Sequence, residues 1–279
     1  MPGIAIFGIT GRMGQSLVRA LREPSGAAAQ VTGGASAAPS GLYLSGALAS
    51  PSSSRLGLDA AVEAHATGIK VTADPGVALR GAAVALEFSL CGAVAAHARA
   101  CLEQRVPLLV GTTGIDAASR EELEAAAKVV PVLIAPNTSV GVTVMAHLVG
   151  LATTALGAGY DVEISEAHHR MKRDAPSGTA LALGEAVAGA RGEALADVAV
   201  FDRHGAASAR EPGSIGFAVV RAGDIVGEHT VTFAAAGERI ELVHRATDRI
   251  IFARGALRAA EWLIGRPAGL YGMRNVLGL

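Results

Sequence analysis

Cysteine is nearly absent from this chain: among 279 residues there are only Cys91 and Cys101. Neither has His or Cys at metal-ligand spacing, so no disulfide framework and no metal site are expected, and both thiols are read as buried in a reducing compartment. Aromatic residues are scarce at 4% and charged residues at 18%. Lys plus Arg number 24 and Asp plus Glu 25, a formal net charge of -1; no basic field exists to hold a phosphate backbone, which argues against nucleic-acid binding. Charge is missing altogether from residues 24–54 and 129–160. The second stretch exceeds the about 20 apolar residues that a membrane span needs. Pro131, Pro136, Asn137, Ser139, Thr143 and His147 interrupt it, and a proline-asparagine turn in hydrocarbon would strand backbone groups. It reads as a short strand, a polar turn and a core helix containing Val144, Leu148 and Leu151, with no membrane partner. Residues 1–8 lack a basic region ahead of the first apolar run, so no signal peptide is read and a cytoplasmic location is expected.

What is present is apolar. Hydrophobic residues make up 51%, the balance of a folded chain, and the length suggests about two domains at roughly 150 residues each. In the first half, apolar runs at 4–7, 30–33, 83–88, 106–110 and 132–135 alternate with helix-like segments at 14–21, 92–103 and 116–128. That is the pattern of a parallel sheet with crossover helices. Residues 33–54, rich in Gly, Ala and Ser, read as a loop. In the second half, 215–220, 228–233 and 239–244 read as antiparallel strands. There Ile215, Phe217 and Val219 alternate with Gly216 and Ala218, which leaves one face open or covered by a partner. A last helix is read at 251–264. The predicted fold is α/β: an N-terminal Rossmann-like, doubly wound parallel sheet, then an α+β C-terminal domain with a mostly antiparallel or mixed sheet.

Three turns fall where such a sheet places ligands, at strand carboxyl ends. Gly8-Ile9-Thr10-Gly11-Arg12-Met13-Gly14 lies between a strand and a helix, where glycines let backbone approach a pyrophosphate and the helix start supplies N–H groups. Gly111-Thr112-Thr113-Gly114 and Ala135-Pro136-Asn137-Thr138 follow later strands; each is as readily an ordinary turn as a nicotinamide or ribose contact. The acid about 20 residues on that holds an adenosine ribose is missing: after Glu23 the next charged residue is Arg55, so NADH and NADPH are not distinguished.

The richest segment is Glu166-Ala167-His168-His169-Arg170-Met171-Lys172-Arg173-Asp174-Ala175-Pro176-Ser177-Gly178-Thr179. It packs five potential cations into positions 168–173, suited to an anionic substrate. Ser177, Gly178 and Thr179 precede a helical run and offer N–H groups and hydroxyls to a carboxylate. His168 has the intrinsic pKa for proton transfer near neutrality, and Lys172 would share its face if the turn were helical. A solvated basic turn with a plain helix cap is the competing reading.

With these motifs in hand, the chain resembles the 4-hydroxy-tetrahydrodipicolinate (dihydrodipicolinate) reductases of lysine and diaminopimelate biosynthesis, nearly end to end. The residues that carry the resemblance are the glycine turn, Gly111-Thr112-Thr113-Gly114, the Asn137 turn, the histidine-rich segment, Arg221-Ala222-Gly223-Asp224-Ile225-Val226-Gly227-Glu228-His229 and Gly269-Leu270-Tyr271-Gly272-Met273. The resemblance implies His168 as proton donor and Lys172 as second catalytic cation, with His169, Ser177, Gly178 and Thr179 on a small dicarboxylate substrate. It implies NADH or NADPH held by Gly8, Ile9, Thr10, Gly11, Arg12, Met13, Gly111, Thr112, Thr113, Ala135, Pro136, Asn137 and Thr138. It further implies a dinucleotide-binding domain at 1–138, completed by 249–279, a substrate-binding and oligomerisation domain at 139–248, and a homotetramer. Many relatives carry Glu-Arg after the second strand, where Ser36-Ala37 is read here, and Cys91 replaces a proline common among them. Two rivals compete. A non-catalytic dinucleotide sensor has no need of the His/Lys segment. A short-chain dehydrogenase needs Lys four residues after Tyr, which none of Tyr43, Tyr160 and Tyr271 has.

Overall fold

A computed structural model describes residues 1–23, 41–62, 65–205 and 208–279. The chain divides into two compact units, Met1–Val140 with Ile250–Leu279, and Gly141–Arg249.

In the first unit, β1 (Gly3–Phe7) is buried at every position, as an apolar run covered on both faces of a parallel sheet must be. It leads through the glycine turn into α1 (Arg12–Leu21). Then follow β2 (Tyr43–Leu48), β3 (Val71–Thr72), α2 (Pro75–Ala78), β4 (Ala82–Glu87), α3 (Val94–Gln104), β5 (Leu108–Val110), α4 (Ala117–Ala127) and β6 (Pro131–Ile134). After the second unit the chain returns through α8 (Ile250–Leu263), β12 (Gly269–Tyr271) and α9 (Met273–Leu277). All seven strands are parallel, in the order β12-β6-β5-β4-β1-β2-β3. Period-2 alternation sends Ile4 and Ile6 into a core with Leu17 of α1 and Leu257 of α8. It sends Ala5 and Phe7 to the opposite core with Ala98 of α3 and Leu123 of α4. Strand order reverses between β1 and β4, which opens a crevice at their carboxyl ends.

The second unit takes in α5 (Val140–Leu156) from its second residue and continues through β7 (Asp161–His168), α6 (Gly178–Arg191), α7 (Leu195–Val198), β8 (Ala199–Val200), β9 (Ile215–Arg221), β10 (Gly227–Ala235) and β11 (Glu238–Ala246). Its mixed sheet has the order β11-β10-β7-β9-β8. Val162, Ile164, Ile215, Phe217, Val231 and Phe233 form its core with Met145 and Val149 of α5 and Leu183 and Val187 of α6.

Several expectations are corrected. A strand, β2, occupies 43–48 inside the expected loop at 33–54, and it pairs with β1 on the side opposite β4. The residues after it are Ala49 and Ser50. The strand read at 30–33, and Ser36 and Ala37, lie outside the described residues. β9 runs parallel to both of its neighbours, not antiparallel: alternation reports burial, not strand direction. Val144, Leu148 and Leu151 are 37%, 43% and 55% exposed, because α5 turns Val142, Met145 and Val149 inward instead. The stretch Val140–Gly159 is long and apolar enough to cross a membrane by length and composition alone, yet part of that apolarity serves the core. Cys91 is exposed and only Cys101 is buried.

Candidate functional site

Each unit contributes a separate constellation. In the first, Gly8 has φ +78°, and a Cβ on it would come 2.5 Å from the carbonyl oxygen of Phe88. A Cβ on Gly14 would come 2.5 Å from the carbonyl oxygens of Gly8 and Ile9. Only glycine lets the turn lie this tightly against the helix start and the β4 loop. Gly11 caps α1 without a side chain, leaving first-turn N–H groups for a ligand. Thr10, Gly11, Arg12, Gln15, Ser16 and Val62 line a cleft of about 470 Å³. Ile9 is buried and offers only backbone, whereas Thr10 and Arg12 are exposed and Met13 is half-buried. These features fit a dinucleotide pyrophosphate.

The other two turns sit at the carboxyl ends of β5 and β6. A Cβ on Gly111 would come 2.0 Å from the Phe88 ring. Thr112 is buried with its hydroxyl donated toward Glu87, while Thr113 is exposed. Ala135 and Thr138 are buried, Thr138 donating to the Phe252 carbonyl at 2.7 Å. Asn137 Oδ1 accepts from the Ser139 N–H at 2.9 Å, and Pro136 is exposed. Phe88, which no motif singled out, therefore lies between the Gly8 and Gly111 turns.

In the second unit, β7 carries Val162, Ile164, Glu166 and His168 on its inward face. Glu166 is 3% exposed and binds Arg221 through both oxygens, each at 2.7 Å. It also accepts from His168 Nδ1 at 2.6 Å and from the Ser177 N–H at 3.0 Å. Burial pushes the Glu166 carboxyl up, but Arg221, His168 and the Ser177 N–H outweigh it and hold the pKa below the ordinary value. Burial lowers the pKa of His168; Glu166 opposes this without cancelling it, and Lys172 and Arg221 add to the lowering. A Cβ on Gly227 would come 3.0 Å from His168 Nε2, so the glycine keeps that nitrogen clear.

The segment after His168 is a turn, not a helix, so the helical route that would have put Lys172 beside His168 is absent. The turn instead pairs with the loop after β9: His168 O accepts from the Ala222 N–H at 2.9 Å, and the His169 N–H donates to Ile225 O at 2.7 Å. Lys172 pairs with Asp174 at 2.8 Å. Ser177 caps α6, its hydroxyl accepting from the Ala180 N–H and bonding His229 Nε2 at 3.0 Å. Ser177 is 2% exposed, so its hydroxyl is committed to the fold. A Cβ on Gly178 would meet nothing within 4 Å, so packing does not require the missing side chain. Glu166, Arg221 and His229 stand in the quoted motifs but received no role from the sequence; the period-2 relation of Glu166 to His168 was the available signal.

The family models described as "Dihydrodipicolinate reductase, N-terminus" and "Dihydrodipicolinate reductase, C-terminus" match residues 3–138 and 141–277. This chain belongs to the dihydrodipicolinate reductase family. It is 49% identical over 277 residues to the 4-hydroxy-tetrahydrodipicolinate reductase of Thiobacillus denitrificans, covering 99% of this chain and 98% of that protein. It is 46% identical over 281 residues to the reductase of the same name from Anaeromyxobacter dehalogenans, covering 100% and 98%. The dipicolinate-bound dihydrodipicolinate reductase of Paenisporosarcina sp. TG-14 has the same fold, with TM-score 0.73, 22% identity and 99% of each chain covered. GenD2 from gentamicin A biosynthesis, solved with NAD, shares the fold more distantly, at TM-score 0.58 and 17% identity over 95% of this chain and 87% of that one.

Proposed function

We propose that this protein reduces 4-hydroxy-tetrahydrodipicolinate, through dihydrodipicolinate, to tetrahydrodipicolinate in lysine and diaminopimelate biosynthesis, with NADH or NADPH as reductant. The observation that carries this reading is the Glu166–His168 pair at the end of β7, followed by a cationic turn and the start of α6. A sensor that only bound cofactor would need no proton donor held this way.

Held by the glycine turn and the loops after β5 and β6, a nicotinamide cofactor would supply the hydride that C4 of the cyclic conjugated imine accepts. His168 delivers the proton to the neighbouring carbon from Nε2, its Nδ1 being held by Glu166. Lys172, His169 and the backbone of Gly178 and Thr179 bind the two carboxylates, and the cations stabilise negative charge that develops as hydride arrives. Ser177 acts through its N–H and its cap on α6. Gly8, Ile9, Thr10, Gly11, Arg12 and Met13 hold the pyrophosphate, while Gly111, Thr112, Thr113, Ala135, Pro136, Asn137 and Thr138 take the nicotinamide half. The first unit is thus the dinucleotide-binding domain and the second the substrate domain. Among the described residues, Ala49 and Ser50 rather than a carboxylate directly follow β2, which supports use of NADPH alongside NADH, since a carboxylate there would repel a 2′-phosphate.

The homotetramer assembles through the outer face of the second sheet, where Ala218, Val220, Ser165, Thr230 and Val243 share one side in register. Val220 and Val243 are half-exposed on it.

The decisive experiment follows oxidation of NADH and of NADPH separately, with the freshly made condensation product of pyruvate and aspartate semialdehyde. Substrate-dependent oxidation with both cofactors is expected. Cofactor binding without oxidation of either would replace the reductase with the sensor.

A further inference from the structure

The first unit buries a carboxylate that neither hydride nor proton transfer uses. Glu87, the last residue of β4, is 0% exposed. Its Oε1 accepts from the Ser89 N–H at 2.6 Å and from the Thr112 hydroxyl at 3.2 Å, and its Oε2 accepts from His97 Nδ1 on α3. The Glu87 carbonyl accepts from the Gly111 N–H at 2.9 Å. The His97 ring packs on Phe7 of β1, centroids 4.8 Å apart. Buried Cys101, one turn along α3 from His97, has its thiol pKa pushed up by burial and by the Glu87 charge.

One side chain thus joins three segments: α3, the loop after β4, and the loop after β5. Between its two outer contacts lies Phe88, whose carbonyl occupies the space a Cβ on Gly8 would need and whose ring occupies the space of one on Gly111. For stability alone the cluster is a poor choice. A buried carboxylate must be desolvated, and well-packed apolar residues of similar volume would serve a core as well or better. What a fully satisfied polar cluster does supply is one arrangement of the groups bonded to it.

We propose that the Glu87–His97 pair is a positioning device for the nicotinamide half of the cofactor site. It holds the Phe88–Ser89 loop and the Gly111–Thr113 loop in register with the Gly8 turn. The proposal rests on assigning the Gly8 turn and the Gly111–Thr113 loop to the cofactor under the proposed function; the Phe88–Ser89 loop enters because it packs between them. Glu87 and His97 themselves touch no reactant; they act through Phe88, Ser89 and Thr112.

The test compares wild type with His97→Leu, His97→Asn and Glu87→Gln. His97→Asn puts an amide donor where Nδ1 stood, and Glu87→Gln keeps the shape while removing the charge. NADPH affinity is measured by calorimetry without substrate, KM for cofactor and for substrate and kcat by oxidation, and folding by thermal melts. Loss of one bond to a buried charged group corresponds to an about tenfold weakening of NADPH binding in His97→Leu and Glu87→Gln. Substrate KM should be unchanged, and His97→Asn should recover most of the affinity. The proposal is overturned if folded His97→Leu and Glu87→Gln bind NADPH like wild type, or if His97→Asn restores the melting temperature but not the affinity. Wild type that binds NADPH yet oxidises none with substrate would sink the assigned reaction alone, because the calorimetric comparison still stands.

Discussion

Burial and charge pull the His168 imidazole in opposite directions. Burial lowers its pKa, the Glu166 carboxylate raises it, and the net value lies below the ordinary 6.5. In its proposed role as proton donor it must be charged, so kcat/KM should fall on an alkaline limb set by this lowered value in the free enzyme. Glu166→Gln removes the group that raises it and should move the limb to lower pH, read from the full kcat/KM profile. His168→Gln should lower kcat by about 100-fold or more while leaving NADPH affinity within error, since general acid catalysis contributes roughly 10²–10⁴. His229 carries a different consequence. Burial pushes its pKa from 6.5 down to about 4, so between those values the unfolded chain binds a proton that the folded chain refuses. Stability therefore falls as pH drops from 6.5 to 4, by about 3 kcal/mol in total. Glu166 acts in the same direction further down: its depressed folded pKa gives stability present above 4.5 and lost as pH falls through the depressed value. Thermal melts from pH 7 to 4 should show the loss, and His229→Gln should flatten its upper part.

The fit between α1 and the glycine turn belongs to the element, not to a single residue. A Cβ on Gly14 would meet backbone atoms of residues 8 and 9, which cannot swing aside as a side chain can. Gly14→Ala should therefore displace the helix start, costing about 1–3 kcal/mol of stability by overpacking and weakening NADPH binding because the first-turn N–H groups move. Denaturant unfolding together with calorimetry checks both parts. At this scale β1, α1 and β4–β6 were legible, because apolar runs and helix-like segments announce a parallel sheet. β7 was not. Its inward positions run Val162, Ile164, Glu166 and His168, and two polar residues in a core register hide the strand from an apolar pattern. β2 was hidden by composition: Gly46, Ala47 and two serines nearby read as loop, while its hydrogen bonds to β1 make it strand.

At the scale of the whole molecule, the outer face of the second sheet is the surface on which the proposed tetramer would assemble. It carries alternating small, Thr and Val side chains, compatible with water on one side or with a second copy. Light scattering should return about four times the chain mass of 28.0 kDa. Val220→Asp combined with Val243→Asp should lower that mass, since buried, unpaired charges are costly at an interface. Retention of the full mass would place the contact on another surface.

The sequence by itself determined the two-unit plan, the family and the glycine turn, and it singled out His168 and Lys172 as candidates. Hydrophobic period, turn chemistry and motif spacing are properties of neighbours along the chain. Only the tertiary structure decided that Glu166, Arg221, Ser177 and His229 converge on His168, and that Glu87, His97 and Thr112 meet beneath Phe88. Those groups come from different strands, helices and loops, and a buried carboxylate requires donors from several of them at once. Such a requirement is met by strand register and helix packing, which no local pattern of residues records.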